Sequence, residues 1–391
     1  MVALDLQQRR TLTWAGLAVL LVGFDGSVLV LALPAISSEF HARTADLSNL
    51  GSVLTLGTIG ALPLATLADR FGRRRLIALG VAGFSVANFA SSLAPSLAAL
   101  AVLRLIAVCF EALVAGVATA LIVEEAPPAR RGQAVSVLAL LAGLGTGISV
   151  IAYPVIAPHW RWLFMASGVG LLLVPAMWRR LPESRMWLGV QVSGSALRLL
   201  FAPPWRRRMV VIAASAALVT VLLGPASLLF TIYASEALRL SPAAISIMII
   251  VSAAAAAVSY LAGGYLTDRF GRRWPAIILT SDTAIATSLS FGTGIVDFYA
   301  GNVLWSAFAS ARTPVFGAWT GELFPTRARA TAELLSSVAG AVGGVVGLQA
   351  VGFLSPSIGL GHAIELGGVA ALAGALLLFL MPETKQAPLP D

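Results

Sequence analysis

Charged residues are scarce in this sequence: they make up 11% of its 391 residues, whereas hydrophobic residues make up 58%. Soluble globular proteins carry about 25% charged residues, so a soluble fold is excluded. The single cysteine, Cys109, lies in an apolar run, which excludes a disulfide framework and a thiolate metal site. The three histidines are scattered along the chain, and no metal site is expected.

The sequence also lacks the patterns typical of enzymes and of nucleic-acid-binding proteins. Its formal net charge of +8 comes from short basic clusters between apolar runs, without a continuous basic face or an aromatic stacking platform. It contains no arrangement of nucleophile, metal ligands or phosphate-cradling loop. We therefore predict no catalysis, no cofactor and no nucleic-acid partner.

Long apolar windows are what the sequence has in abundance. A helix that crosses a bilayer needs about 20 apolar residues, and twelve windows of helical length can be delimited. We therefore predict an all-α integral membrane protein. The predicted spans are 12–36, 49–68, 76–94, 97–123, 134–157, 162–181, 209–233, 243–267, 275–295, 298–320, 331–354 and 363–381.

The distribution of arginines predicts the orientation of these spans. If every window crosses the membrane, most basic residues of the loops fall on one side, and the other side carries Arg43, Arg161 and Arg239. Loops rich in arginine and lysine remain in the cytoplasm. Both termini are therefore predicted to be cytoplasmic, and the compact loops favour a bacterial cytoplasmic (inner) membrane.

Three sequence signatures occur twice, about 200 residues apart. The signatures and their copies lie at 65–74 and 264–273, at 124–131 and 322–329, and at 181–184 and 381–384. Matched copies in one order indicate two duplicated halves. We predict an N-terminal six-helix bundle (1–181), a cytoplasmic linker (182–208) and a C-terminal six-helix bundle (209–391).

This combination resembles the major facilitator superfamily over essentially the whole chain. The paired Asp-Arg-x-Gly-Arg-Arg loops carry the resemblance, and segments 160–164, 182–188 and 322–329 are similar to its sugar-porter and organic-ion branch. Phe24-Asp25-Gly26 is similar to aromatic-acid:proton symporters, although Val28 stands where those proteins place a second acidic residue. The resemblance implies twelve transmembrane helices in two pseudo-symmetric six-helix bundles, with spans one, four, seven and ten lining a central cavity.

The repeated loops are predicted to act in gating. A carboxylate at one helix end and guanidinium groups at the start of the next can form directional ion pairs that close and open one side of the membrane. The alternative is that these charges only set the topology. The predicted gating residues are Asp69, Arg70, Gly72, Arg73, Glu124, Arg131, Glu183, Asp268, Arg269, Gly271, Arg272, Glu322 and Arg329, with Glu383 as a further candidate.

Four ionisable residues lie within predicted spans, where a charge is costly and usually functional. Asp25 and Arg104 lie at comparable depth in the first and fourth spans, so we expect them to pair. Glu111 follows Arg104 by seven residues on the same helical face. Arg312 occupies a similar depth in the tenth span, beside Pro314.

We predict proton-coupling roles for Asp25 and Glu111, and substrate contacts for Arg104 and Arg312. A substrate anion that binds the arginine would leave the paired aspartate without its partner, so that anion binding and protonation become coupled. The alternatives are a static pair of Asp25 with Arg104, a structural tether formed by Arg104, and a pair of Glu111 with Arg312 across the cavity.

The sequence therefore predicts a secondary active transporter that carries a small organic anion or metabolite together with protons. One alternative is proton-driven efflux of drug-like or cationic compounds. Another is a membrane scaffold or sensor that keeps the fold without transporting. The expected partners are a small-molecule substrate, protons and the lipid bilayer, in which the protein is expected to be a monomer.

Overall fold

The protein is described here by a computed structural model that includes side chains. The structure describes residues 6–66, 72–125, 131–183, 199–203, 205–292, 294–325 and 328–385. Every regular element in these ranges is helical. The predicted all-α fold is therefore confirmed.

Twelve helical segments follow one another in the described ranges, and two of them are interrupted. A π-helical turn, Tyr233–Ala237, follows the seventh helix. The segments are α1 (Leu6–Phe40), α2 (Thr44–Thr66), α3 (Arg73–Ser91), α4 (Leu97–Glu125), α5 (Arg131–Ile156), α6a (Trp160–Ser167), α6b (Gly170–Arg180), α7 (Trp205–Ile232), α8 (Pro242–Phe270), α9 (Arg273–Ser290), α10 (Ile295–Leu323), α11 (Arg329–Ile358), α12a (Leu360–Glu365) and α12b (Gly367–Leu377).

Eight of the helices described are long and apolar enough to cross a membrane, namely α1, α4, α5, α6, α7, α8, α11 and α12. The predicted spans on α2, α3, α9 and α10 are outside this set. Polar and charged residues lower the hydropathy of three of them, because Asn88 lies in α3, Asp282 in α9 and Arg312 in α10. The chain is nevertheless an integral membrane protein, since its apolar helices far exceed what a soluble core can bury.

Helix pairs recur in the same order in the two halves of the chain. In the first half α1 packs along α5 and α3 along α4, and in the second half α7 packs along α11 and α9 along α10. The helix α3 also contacts α6b, as α9 contacts α12b. Recurrence at an interval of six helices is what a duplicated bundle requires, because each copy buries the same faces.

The chain divides into two compact units. The first comprises 1–42 and 56–191, and the second comprises 43–55 and 192–391. Phe84 and Phe164 are fully buried in the first unit, and Trp319 and Phe324 are fully buried in the second. The predicted boundaries at 181 and 209 stay a prediction, because most of the linker lies outside the described residues.

Candidate functional site

Asp25 lies in the middle of α1, on the side that faces away from α5. Gly23 is in contact with α5: a Cβ atom there would come within 2.0 Å of the carbonyl oxygen of Ala142. Positions two residues apart on an α-helix are separated by about 200°. Asp25 therefore projects from the opposite side of α1, where α4 packs.

Arg104 on α4 joins two acidic side chains. Its Nη1 donates to Oδ2 of Asp25 at 2.8 Å, and its Nη2 donates to Oε1 of Glu111 at 3.4 Å. The side chains of Arg104 and Asp25 are 2% and 0% exposed, and that of Glu111 is 10% exposed. The structure thus brings three of the four predicted intramembrane residues together within the first unit.

Two uncharged residues complete this group, and the sequence analysis missed both. Asn88 on α3 is fully buried, and its Oδ1 accepts a hydrogen bond from Nη1 of Arg104. Phe164 on α6a lies with its ring centre 5.4 Å from the guanidinium carbon, within the range of a cation–π interaction. We call Asp25, Asn88, Arg104, Glu111 and Phe164 the Arg104 cluster.

The Arg104 cluster contains more acidic groups than basic ones. It contains one guanidinium and two carboxyl groups, so that it carries one net negative charge when both carboxyls are ionised. A net charge inside a membrane protein is costly. Binding of a single proton to either carboxyl removes that charge, and release of the proton restores it.

Arg312 on α10 has a different environment. The centre of the Phe316 ring, one turn further along the helix, lies 5.3 Å from its guanidinium carbon. Among the residues that the structure describes, no carboxylate forms an ion pair with Arg312. A guanidinium in a membrane span without a counter-charge is a natural contact for an anion.

A cavity of about 350 Å³ lies between α7, α8 and α10 in the second unit. Its walls are mostly apolar, and Ser252, Asn302, Trp305 and Ser306 add polar groups. The sequence analysis named no residue of this cavity. The available signal was the spacing of Asn302, Trp305 and Ser306, which places these three side chains on one face of a helix. We refer to it as the α7–α8–α10 cavity.

The repeated loop before α9 forms an ion-pair network within the second unit. Arg272 donates from Nε to both carboxylate oxygens of Glu322 and from Nη2 to Oε1 at 2.6 Å. Thr384 donates from its hydroxyl to the same carboxylate. Lys385 donates from Nζ to the carbonyl oxygen of Arg269 at 2.7 Å. The structure thus brings several predicted gating residues of this half together.

Glu183 and Glu383 cap the starts of α3 and α9 in the same way. Oε1 of Glu183 accepts hydrogen bonds from the backbone N–H groups of Arg73 and Arg74, at 2.7 and 3.2 Å. Glu383 accepts equivalent bonds from the backbone at the start of α9, at 2.9 and 3.0 Å. Both glutamates therefore bind a helix N-terminus, where the macrodipole favours a negative charge.

Glycine is required at the turn that leads into each of these helices, directly before α3 and two residues before the first residue of α9. Gly72 and Gly271 have φ values of +89° and +90°, which residues other than glycine rarely adopt. A Cβ atom at Gly72 would lie 2.6 Å from Oε2 of Glu183, and one at Gly271 would lie 2.7 Å from Oε2 of Glu383. At both positions, therefore, a side chain would be opposed by the positive φ and by the nearby glutamate carboxylate.

The backbone cap also sets the charge state of Glu383. Burial raises the pKa of this carboxyl, but hydrogen bonds from the backbone N–H groups of Arg272, Arg273, Lys385 and Thr384 together outweigh burial. The pKa of Glu383 therefore lies below its ordinary value of 4.5. Glu383 is ionised at neutral pH.

Six of the predicted gating residues lie outside what the structure describes. Asp69 and Arg70 fall between the described ranges, and the side chains are not described for Glu124, Arg131, Asp268 and Arg329. The gating role of the repeated loops stays a prediction.

Comparison with protein families and known proteins gives consistent matches. The family model described as Major Facilitator Superfamily matches residues 15–232 and 223–391. The chain is 25% identical to the putative niacin/nicotinamide transporter NiaP of Bacillus subtilis (strain 168), over 98% of both proteins. It is 32% identical to the 3-(3-hydroxy-phenyl)propionate transporter of Escherichia coli (strain K12), over 50% of each protein.

An export protein and a solved structure are also similar. The chain is 30% identical to the tetracenomycin C resistance and export protein of Streptomyces glaucescens, over 50% of this chain and 39% of that protein. The crystal structure of a bacterial homolog to the human lysosomal transporter Spinster, inward-facing and occupied, matches with a TM-score of 0.80 at 17% identity, over 97% of both chains. At this identity the structural similarity shows the fold alone.

Proposed function

Since this chain belongs to the major facilitator superfamily and is a membrane transporter rather than an enzyme, we propose that it carries a small organic anion together with protons. The transport cycle proposed is alternating access, with the protein acting as a monomer in a bacterial cytoplasmic membrane and with both termini in the cytoplasm. The repeated loops before α3 and α9 are proposed to control access from the cytoplasmic side.

The observation that carries this proposal is the Arg104 cluster. One guanidinium paired with two buried carboxylates leaves one net negative charge, which a single proton neutralises. Both carboxyl groups lie within 3.4 Å of that guanidinium. Asp25 has the shorter contact and no exposure, so we narrow its predicted role in proton coupling to that of the permanent counter-ion of Arg104. Glu111 has the longer contact and a side chain that is 10% exposed, and we assign to it the part of proton carrier.

An anionic substrate is favoured by the second arginine. Arg312 has no carboxylate partner among the described residues, whereas Arg104 already has two. A substrate carboxylate can therefore bind Arg312 directly, but reaches Arg104 only by displacing Glu111. Two relatives are named for transport of niacin/nicotinamide and of 3-(3-hydroxy-phenyl)propionate; niacin and the propionate are carboxylates at neutral pH. Their chemistry supports an organic anion.

The test uses proteoliposomes with 3-(3-hydroxyphenyl)propionate and nicotinate as probes. With an acidic exterior we expect wild-type protein to accumulate at least one of the two acids. Glu111→Gln removes the titratable group, so accumulation should fall by at least about tenfold while exchange of labelled for unlabelled acid continues. Asp25→Asn should abolish both activities, because Arg104 then has no ionised counter-ion in the cluster whenever Glu111 is protonated.

The matched control is Asp46→Asn, which changes an exposed carboxylate that pairs with Arg43 outside the cluster. This variant should accumulate the acids like the wild type. Uphill accumulation by Glu111→Gln at the wild-type level would contradict the assignment of the proton carrier. Accumulation of neither acid by any protein would contradict the organic-anion proposal.

Proton-driven export of drug-like compounds is the second candidate, favoured by the similarity to the tetracenomycin C resistance and export protein. An exporter would expel a cation such as ethidium against its gradient when the proton gradient points the opposite way. The same proteoliposomes measure this directly. Ethidium movement that depends on Glu111, without acid accumulation, would favour export over anion symport.

A further inference from the structure

The α7–α8–α10 cavity has a size suited to a single ring. Its volume is about 350 Å³, whereas a cavity of about 150 Å³ is enough for benzene. Phe230 on α7 and Trp305 on α10 line it together with aliphatic side chains. Aromatic rings stack favourably on such walls. None of its lining residues carries a charge, so the portion of a ligand bound here is uncharged.

One buried hydroxyl in this cavity has no hydrogen-bond partner among the residues that the structure describes. Ser252 on α8 is 6% exposed, and its Oγ forms no hydrogen bond with any described residue. A buried hydroxyl is normally paired, and the cavity is the space that Ser252 lines. Asn302, also buried, donates from Nδ2 to the carbonyl oxygen of Phe298 at 3.0 Å, which leaves its own Oδ1 as an acceptor. A ligand substituent that both donates and accepts would suit this pair.

The register of α10 places Arg312 at one end of the same helical face. Arg312 follows Trp305 by seven residues, which brings the two positions to within about 20° around the helix axis. It follows the cavity residue Ala309 by three residues, a rise of about 4.5 Å. A ring held between Trp305 and Ala309 can therefore carry its carboxylate toward Arg312.

Pro314 adds a feature at the same end of the cavity. It lies inside α10, and its nitrogen has no hydrogen to donate to the carbonyl oxygen of Ser310, four residues earlier. Ser310 lines the cavity. The backbone thus offers a further acceptor between the ring position and Arg312.

We propose that the α7–α8–α10 cavity binds the uncharged ring of the ligand and that Ser252 determines specificity by hydrogen bonding to a polar ring substituent. The proposal rests on the proposed anion transport in one respect only, namely that the ligand also carries a carboxylate for Arg312. The ring site itself is a property of the cavity and can be tested by binding.

The test compares 3-hydroxybenzoate with benzoate, which share the ring and the carboxylate and differ in one hydroxyl. Binding to the purified full-length protein in detergent is measured by isothermal titration calorimetry. We expect the wild type to bind 3-hydroxybenzoate about five- to tenfold more tightly, the preference that one buried hydrogen bond supports. Ser252→Ala should reduce this ratio to about one, and Ser252→Thr should retain it.

Two further variants separate the ring site from the charge site. Ser246→Ala changes another buried serine of α8 that does not line the cavity, so it should leave the ratio unchanged. Arg312→Gln should weaken the binding of both acids by the same factor, and so it should also preserve the ratio of their affinities. Ala256→Phe places a phenyl ring in the cavity and should weaken the binding of both acids at least about tenfold.

Each outcome supports or contradicts the assignment of the cavity as the ring-binding site. A ratio unchanged by Ser252→Ala, normal binding to Ala256→Phe, or no binding of either acid to the wild type would overturn the assignment. Loss of proton coupling is measured separately, by transport with Glu111→Gln. A protein that binds 3-hydroxybenzoate through Ser252 but fails to accumulate acids would contradict the proposed transport and leave the ring site intact.

Discussion

Arg104 and Arg312 are the same residue type in two different environments, and the difference decides what each can do. Arg104 is surrounded by acceptors, from two carboxyl groups and from Asn88. Arg312 has an aromatic ring beside it and, in the described part of the chain, no acid. A guanidinium that is paired with two carboxyl groups holds them in place, whereas one without a carboxylate partner among the described residues is available to a ligand.

Asn88 is the uncharged residue on which the geometry of Arg104 depends. Hydrogen bonds to charged groups contribute about 1.5–3 kcal/mol, so Asn88→Ala should lower the melting temperature of the detergent-solubilised protein by several degrees. It should also reduce proton-coupled accumulation, because Arg104 is then free to shift away from Asp25. Differential scanning fluorimetry and acid-driven uptake measure the two effects.

Ser91→Ala is the control for this substitution. Ser91 is equally buried on α3, but among the described residues its hydroxyl bonds only to the carbonyl oxygen of Ala87 in the same helix. Its replacement should change the melting temperature by a degree or less. Equal effects of the two substitutions would show that Asn88 is a packing residue and not a support for Arg104.

The sequence reveals the charged members of the cluster but not the uncharged ones. Asp25, Arg104 and Glu111 could be found because a charge within an apolar window is costly. Asn88 and Ser252 have no comparable signal, since amides and hydroxyls occur in many membrane helices for packing alone. Their importance follows only from the partner that each has or lacks in three dimensions.

At the scale of the helix, the starts of α3 and α9 share one construction. Each begins after a glycine with positive φ and is capped by a glutamate more than 100 residues further along the chain. Such a cap ties the end of the sixth or twelfth helix to the start of the third or ninth. A loop that opens during transport must either carry this contact with it or break it.

The pH dependence of stability tests the cap on α9. The pKa of Glu383 is lowered in the folded protein by backbone N–H donors, so its ionised form stabilises the fold above the ordinary pKa of 4.5, and this contribution disappears as the pH falls through the lower, folded-state pKa. Glu383→Gln should therefore melt slightly lower than the wild type at pH 7, by roughly 1–2 °C for a partly exposed cap.

Measured between pH 7 and pH 3.5, the melting curves of the two proteins should converge on the acid side. Thr384→Ala is the neighbouring control, because it removes the hydroxyl contact to Glu322 and leaves the Glu383 cap in place. Its difference from the wild type should not follow the titration of Glu383. A difference between Glu383→Gln and wild type that grows below pH 4.5 would contradict the assignment.

Hydropathy predicts the helices better than their ends and interruptions. The first predicted span, 12–36, lies inside α1, which runs from Leu6 to Phe40, because hydropathy marks the lipid-crossing part and not its polar extensions. The predicted spans 162–181 and 363–381 each contain a break, after Ser167 and after Glu365. At the first break, a Cβ atom on Gly170 would lie 2.3 Å from Oγ of Ser85, a close approach that no local pattern indicates.

At the scale of the whole molecule, the two duplicated halves differ in the chemistry of equivalent positions. The repeated loops before α3 and α9 are offset by 199 residues, and α4 and α10 are offset by 198 residues. Asn88 therefore corresponds to Thr287, Arg104 to Asn302 and Glu111 to Ala309. The Arg104 cluster therefore has no charged counterpart in the second half. The counterparts of Arg104 and Glu111, Asn302 and Ala309, instead line the α7–α8–α10 cavity. On the proposed function, the proton site therefore belongs to the first half, and the second half provides the uncharged wall of the ligand site.

The charge of the Arg104 cluster predicts whether transport moves net charge across the membrane. The Arg104 cluster becomes neutral with one proton, so one proton accompanies one monovalent anion and the step moves no net charge. Acid accumulation should then follow the pH gradient, approaching tenfold per pH unit, since one unit corresponds to about 1.4 kcal/mol. A membrane potential should add nothing, although each unbalanced charge would contribute about 2.3 kcal/mol per 100 mV.

Proteoliposomes with a potassium gradient and valinomycin separate the two driving forces. Wild-type uptake of 3-(3-hydroxyphenyl)propionate should respond to a one-unit pH gradient and remain unchanged when a potential of either sign is imposed. Glu111→Gln should respond to neither. If an interior-negative potential raises accumulation at constant pH, at least two protons move with each anion, and a second proton site outside the Arg104 cluster is required.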